Sequence, residues 1–71
     1  MKEMNYRQIQ KKLLLENTPF TAILNGHTVE CNKPDVRNRH NVYWWIEIDG
    51  ETVLKKGTAS VALNAISTIC L

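Results

Sequence analysis

The stretch VYWWIEIDGETVLKK, residues 42–56, decides the fold. Asp49-Gly50 separates two runs of β-branched and aromatic residues, and both positions of that dipeptide accept the positive φ of a two-residue hairpin turn. Such a turn sets the pairing as Ile48 opposite Glu51, Ile46 opposite Val53 and Trp44 opposite Lys55. Side chains alternate across a strand, so Val42, Trp44, Ile46, Ile48 and Val53 line one almost purely apolar face. Tyr43, Trp45, Glu47, Thr52, Leu54 and Lys56 line the other, which mixes aromatic rings with charges. The first face reads as core and the second as surface.

Toward the N-terminus, residues 20–31 read as another hairpin, around Asn25-Gly26. Its turn pairs Leu24 with His27, Ala22 with Val29 and Phe20 with Cys31. That face is the better core candidate, with His27 at its rim. Thr21, Ile23, Thr28 and Glu30 take the opposite face. Residues 5–17 read as a helix, in which Asn5 followed by Gln8 forms a capping box. Tyr6, Ile9 and Leu13 share one side, and Arg7, Lys11 and Lys12 point elsewhere. Asn17 tolerates a left-handed end and Pro19 disfavours a helical Thr18, so the helix stops near Glu16–Asn17.

Toward the C-terminus, residues 58–70 read as a closing helix. Gly57 ends the strand and Thr58 or Ser60 caps. Ala62, Ala65, Ile66 and Ile69 form the apolar stripe with Val61 beside it, while Ser60, Asn64 and Ser67 lie opposite. The order is αββββα. The expected architecture is α+β: a four-stranded, mainly antiparallel sheet of two hairpins, with the N- and C-terminal helices on one face.

Composition bounds the rest. Seventy-one residues make one small domain spanning 1–71. Hydrophobic content of 44% with 23% charged residues is globular usage and excludes a disordered chain. The longest wholly apolar runs, residues 13–15 and 42–46, are far short of the ~20 needed to cross a membrane. No basic-then-apolar leader opens the chain, so a cytoplasmic, reducing setting is expected, with Cys31 and Cys70 as thiols. A chain this short buries only about 60% of its unfolded surface, and such domains often gain stability by pairing with another chain.

Catalytic motifs are absent from the sequence: there is no phosphate-binding Gly-rich loop, nucleophile elbow or paired-carboxylate pattern. Asp35, Arg37 and His40 share the polar loop 32–41 and read as a solvated segment, so an enzyme is not expected. No cofactor, metal or small-molecule substrate is expected either. His27, Cys31, His40 and Cys70 are zinc-ligand types, but His27 and Cys31 would lie about 13 Å apart along a strand at ~3.3 Å per residue.

Two binding readings remain. For nucleic acid, Tyr43 and Trp45 project from one strand face with Lys56 across from Tyr43, an arrangement able to stack bases. Lys33, Arg37 and Arg39 would meet phosphates, and the site would comprise the sheet face and the basic loop 33–41. Glu30 and Glu47 on the same face would repel a phosphate backbone, and a net charge of +2 is low for such a module. The run Trp44-Trp45-Ile46, then Gly50, then Gly57-Thr58-Ala59 with Ala62 and Ala65 resembles the strand–strand–helix unit of integrase arm-binding and plant ethylene-response-type DNA-binding domains. The resemblance covers about thirty residues, implies a sheet that reads the major groove, and lacks the aromatic after Gly-Thr and the acidic residue of the following helix.

For protein contact, residues 57–71 carry no charged side chain, and interface cores are depleted in charge and enriched in aromatics. Leu63, Asn64, Ser67 and Leu71 are the expected oligomer interface, with a homodimer in view. In size and general character the chain resembles the small accessory proteins of phages, of the host-takeover or anti-defence type. That resemblance implies a non-catalytic protein that modulates or inhibits a host macromolecular machine by stoichiometric contact in the host cytoplasm. The expected partner-binding residues are Tyr43, Trp45, Leu54 and Lys56, with Arg37 and Arg39 at the edge.

Overall fold

A computed structural model of the chain describes residues 2–33 and 43–71. Within them lie β1 (Lys2–Glu3), α1 (Tyr6–Lys11), a π-helical turn (Lys12–Glu16), β2 (Phe20–Leu24), β3 (His27–Asn32), β4 (Trp44–Ile48), β5 (Glu51–Gly57) and α2 (Ala59–Cys70). The strands form one sheet in chain order, β1-β2-β3-β4-β5. The fold is α+β, as expected, but the sheet has five strands and is mixed. The added strand β1 runs parallel to β2, with Lys2 beside Ala22 and Glu3 beside Ile23. The Met4 N–H extends this pairing by donating to the Ile23 carbonyl at 2.9 Å. A parallel neighbour needs a long crossover, and the helical segment before β2 supplies it.

The first hairpin has the expected register: Phe20 opposite Cys31, Ala22 opposite Val29 and Leu24 opposite His27. Both turns carry two consecutive positive φ angles, 50° and 81° at Asn25-Gly26 and 54° and 84° at Asp49-Gly50, which match the twist of the flanking strands. The second hairpin starts as expected, with Ile48 opposite Glu51, and then departs. Ile46 faces Leu54 rather than Val53, and Trp44 faces Gly57 rather than Lys55, across two register shifts. Each shift adds a residue to β5 and bends it, as β-bulges do.

The bulges correct the place expected for Leu54. It does not join Tyr43 and Trp45 on the open face but packs, half-buried, against the core beside Val53. It also fills the space over Gly57, where an added Cβ would stand 2.8 Å from Leu54 Cδ2.

The capping box of α1 is formed. Asn5 Oδ1 accepts from the Gln8 N–H at 2.8 Å, and Gln8 Oε1 accepts from the Asn5 N–H at 3.0 Å. The expected single helix over 5–17 is instead α up to Lys11 and π beyond it. The widened turn closes with the Asn17 N–H on the Lys12 carbonyl at 3.0 Å, and Asn17 ends it at φ 55°, the left-handed stop expected of it.

In α2, Thr58 is the N-cap, and the buried stripe is Ala62, Leu63, Ile66 and Cys70. The expected stripe used Ala65 and Ile69, so the helix is rolled by about 60° at 3.6 residues per turn. Two hydrogen bonds hold that roll: the Tyr6 hydroxyl donates to the Leu63 carbonyl at 3.2 Å, and Asn25 Nδ2 donates to the Cys70 carbonyl at 2.7 Å. Leu63, expected at an oligomer interface, is therefore core and only 6% exposed.

The buried cluster joins Ile9 and Leu13 of the first helical segment and the α2 stripe to Ala22, Leu24, Val29, Cys31, Trp44, Ile46 and Ile48 of the sheet. Both helical segments thus cover one sheet face, and the other stays open. Trp44 sits at 0% exposure with the Phe20 ring edge-on at 6.4 Å and the Lys33 ammonium 4.6 Å from its centroid. Cys31 and Cys70 are free and buried. Burial pushes the Cys31 thiol up to about 12. It also raises Cys70, with a smaller contribution from the charge of Asp49.

A candidate partner-binding face

The open face is built by strand alternation. On β4, Trp44, Ile46 and Ile48 turn inward, so Trp45 and Glu47 must turn outward. Trp45 is 36% exposed and Tyr43, just before the strand, 40%. The Lys56 ammonium lies 4.7 Å from the Tyr43 ring centroid, within cation–π range. Asn32 is the register partner of Trp45. Together with Lys33 and Glu47 these two residues line an open cavity of about 350 Å3. Burial lowers the pKa of the Lys33 ammonium.

The middle of the face is acidic. Glu30 of β3 stands directly opposite Glu47 of β4, with Thr21 beyond Glu30 and Thr52 beyond Glu47. The Thr52 hydroxyl donates to Glu47 Oε1 at 3.4 Å. The oppositely charged side-chain contacts among the described residues are the Lys12–Glu16 ion pair and the His27–Asp49 hydrogen bond, an ion pair only when the imidazole is protonated, so neither Glu30 nor Glu47 belongs to one.

The structure therefore brings Tyr43, Trp45 and Lys56 together and removes Leu54 from their company. Arg37, Arg39 and the loop residues 34–41 that were expected to border the face lie outside the described residues. Asn64 on α2 and Leu71 just after it are exposed, with Ser67 half-buried. The Asn64 carbonyl accepts from Ser67 Oγ at 3.0 Å and from Thr68 Oγ1 at 2.8 Å. The roll of α2 leaves Val61 and Ile69 exposed as well.

Leu14 and Leu15, 57% and 75% exposed, were not singled out from the sequence. Their only signal is the run Leu13-Leu14-Leu15, of which a regular helix needs one member for the core. Leu14 borders a cavity of about 370 Å3 shared with Leu13, Asn17, Trp44 and Thr58–Ser60.

His27 has a partner other than a metal. Its Nδ1 bonds Asp49 Oδ2 at 2.6 Å, while Asp49 Oδ1 accepts from the Thr28 N–H at 2.9 Å. The His27 hydrogen bond, then that of Thr28, holds the Asp49 carboxyl below its usual range. Among the described residues no group of three or more His, Cys, Asp or Glu side chains is placed to share an ion. No helix among them is long and apolar enough to cross a membrane.

Comparison of the chain with family models, curated proteins and solved structures gives no match.

Proposed function

We propose that this chain is a non-catalytic binding protein that contacts a partner protein through the open sheet face around Trp45. The observation that carries the reading is the contrast between two adjacent tryptophans. Trp44 anchors the core at 0% exposure, while Trp45 is held out at 36% over a cavity by the same strand. A large ring presented on a rigid element costs little entropy to immobilise, and aromatic anchors ringed by polar groups concentrate binding energy. Tyr43 and Lys56 extend the anchor, and Asn32 and Glu47 form its polar rim. In this reading the target is a host macromolecular machine, bound stoichiometrically in the host cytoplasm in the manner of phage accessory proteins.

A nucleic-acid module is the second reading. The Lys56–Tyr43 contact favours it, and the Glu30–Glu47 pair in the middle of the face opposes it. Salt separates the two. Phosphate-dominated binding falls steeply between ~50 and ~200 mM salt, and an apolar anchor does not. The test is light scattering of the chain with bulk tRNA or duplex DNA across that range, joined to affinity capture from host lysate with native chain and with Trp45→Ala. The protein reading expects no nucleic-acid complex and a captured protein lost with Trp45→Ala. A salt-sensitive complex with nucleic acid, or capture indifferent to Trp45, overturns it.

A further inference from the structure

We infer that the partner presents an arginine to this face, with its guanidinium bridging Glu30 and Glu47 and its plane lying against Trp45. The inference rests on the protein-binding reading and names the chemistry of its partner.

Three features of the face lead there. Glu30 and Glu47 are direct cross-strand partners, both half-buried, and neither has an ion pair among the described residues. Like charges directly opposite on a sheet destabilise it, so the free chain carries a repulsion that a bound cation would relieve. The neutral side chains flanking the pair in the same row, Thr21 and Thr52, do not relieve it, and Thr52 gives Glu47 a single 3.4 Å hydrogen bond. Trp45 lies two residues from Glu47 on the same face of the strand, and the two share with Asn32 and Lys33 the cavity of about 350 Å3, so a cation arriving from the Glu30 side meets carboxylate and ring together, with the Lys33 ammonium at the far edge. The Lys56 ammonium lies at the Tyr43 ring and the Lys33 ammonium at the Trp44 ring, and neither forms an ion pair with Glu30 or Glu47.

Arginine suits this arrangement better than lysine. Its planar fork donates to two carboxylates at once and stacks on an indole, whereas an ammonium is a compact, strongly hydrated point charge. Phosphate is the wrong sign for the Glu30–Glu47 row.

The test is a titration of 15N-labelled chain with hexa-arginine, hexa-lysine and a short duplex DNA, followed through the indole N–H signals of Trp44 and Trp45 and the amides of Glu30 and Glu47. Hexa-arginine should shift Trp45, Glu30 and Glu47 saturably, leave the Trp44 indole unmoved, and bind at least threefold more tightly than hexa-lysine. Glu30→Gln with Glu47→Gln should weaken it tenfold or more while the thermal midpoint holds or rises, since the repulsion goes with the charges. Should that double variant not fold, Glu47→Gln alone decides by the same criterion. Undiminished hexa-arginine binding by the variant, equal binding of hexa-lysine, shifts confined to the helical face, or DNA shifting Trp45 would each overturn the inference. Loss of protein capture with Trp45→Ala but not with the Gln variant would sink the arginine and keep the face. Capture indifferent to Trp45 would sink both.

Discussion

Replacing each of the adjacent tryptophans by alanine should have opposite consequences. Trp44 is fully buried, packs edge-on against Phe20 at 6.4 Å and lies among the largest side chains of the core. Truncation of such a ring typically costs about 3–5 kcal/mol, transfer and cavity contributions together. A chain of this length has a total stability of roughly 4–11 kcal/mol at ~0.05–0.15 kcal/mol per residue. Trp44→Ala therefore removes between about a quarter and all of it. With a urea m-value of about 1 kcal/mol/M for so small a domain, the midpoint falls by ~3–5 M or the chain is unfolded in buffer. Trp45 is 36% exposed on the open face, and its removal should cost no more than about 1 kcal/mol, somewhat above the ~0.5 kcal/mol usual for surface sites because the ring is partly covered. Urea titration followed by far-UV circular dichroism measures both. Equal losses would mean that Trp45 is core and that the open face does not exist. A loss under ~1 kcal/mol for Trp44→Ala would refute the core.

Three further outcomes follow from the local geometry. Gly57→Ala should destabilise by about 1–3 kcal/mol, because its Cβ meets Leu54 at 2.8 Å and the leucine must move; in a Leu54→Ala background the same change should cost measurably less, a non-additivity that a double-mutant cycle in urea detects. Asn5→Ala should lose the reciprocal capping bonds with Gln8 and about 1 kcal/mol, read as a lower denaturation midpoint. Asp49 has a depressed carboxyl pKa in the folded chain, so its contribution to stability is complete above its unfolded value near 3.8 and is lost as pH falls through the lower folded value; thermal midpoints between pH 5 and pH 2 should drop less steeply in Asp49→Asn than in the native chain.

Local signals in the sequence were enough for much of the fold. Asn25-Gly26 and Asp49-Gly50 carry their turns in the dipeptide, and Asn5 with Gln8 carries the cap, because all three interactions close within a few residues. What depends on distant partners was not legible in the same way. Lys2–Glu3 is too short to show a period, and its pairing with β2 exists only once the helical segment has crossed back. Val53-Leu54, two apolar neighbours in an otherwise alternating strand, was the available sign of a bulge, but strict alternation sends Leu54 to the wrong face. In α2 the absence of charge lets more than one stripe serve as the core side. Tyr6 and Asn25 choose between them by hydrogen bonds from far along the chain. The candidate site divides along the same line. Tyr43, Trp45 and Lys56 follow from one hairpin, whereas the Glu30–Glu47 contact needs the register between β3 and β4, which no short turn sets.

The most direct test of a protein-binding face at Trp45 places a photo-activatable benzophenone side chain at position 45 and, separately, at the exposed Val61 position of α2, then irradiates each in cell lysate. A discrete protein adduct from position 45 and none from position 61 is the predicted result. Adducts from position 61 alone, or nucleic acid as the species cross-linked at position 45, would contradict it.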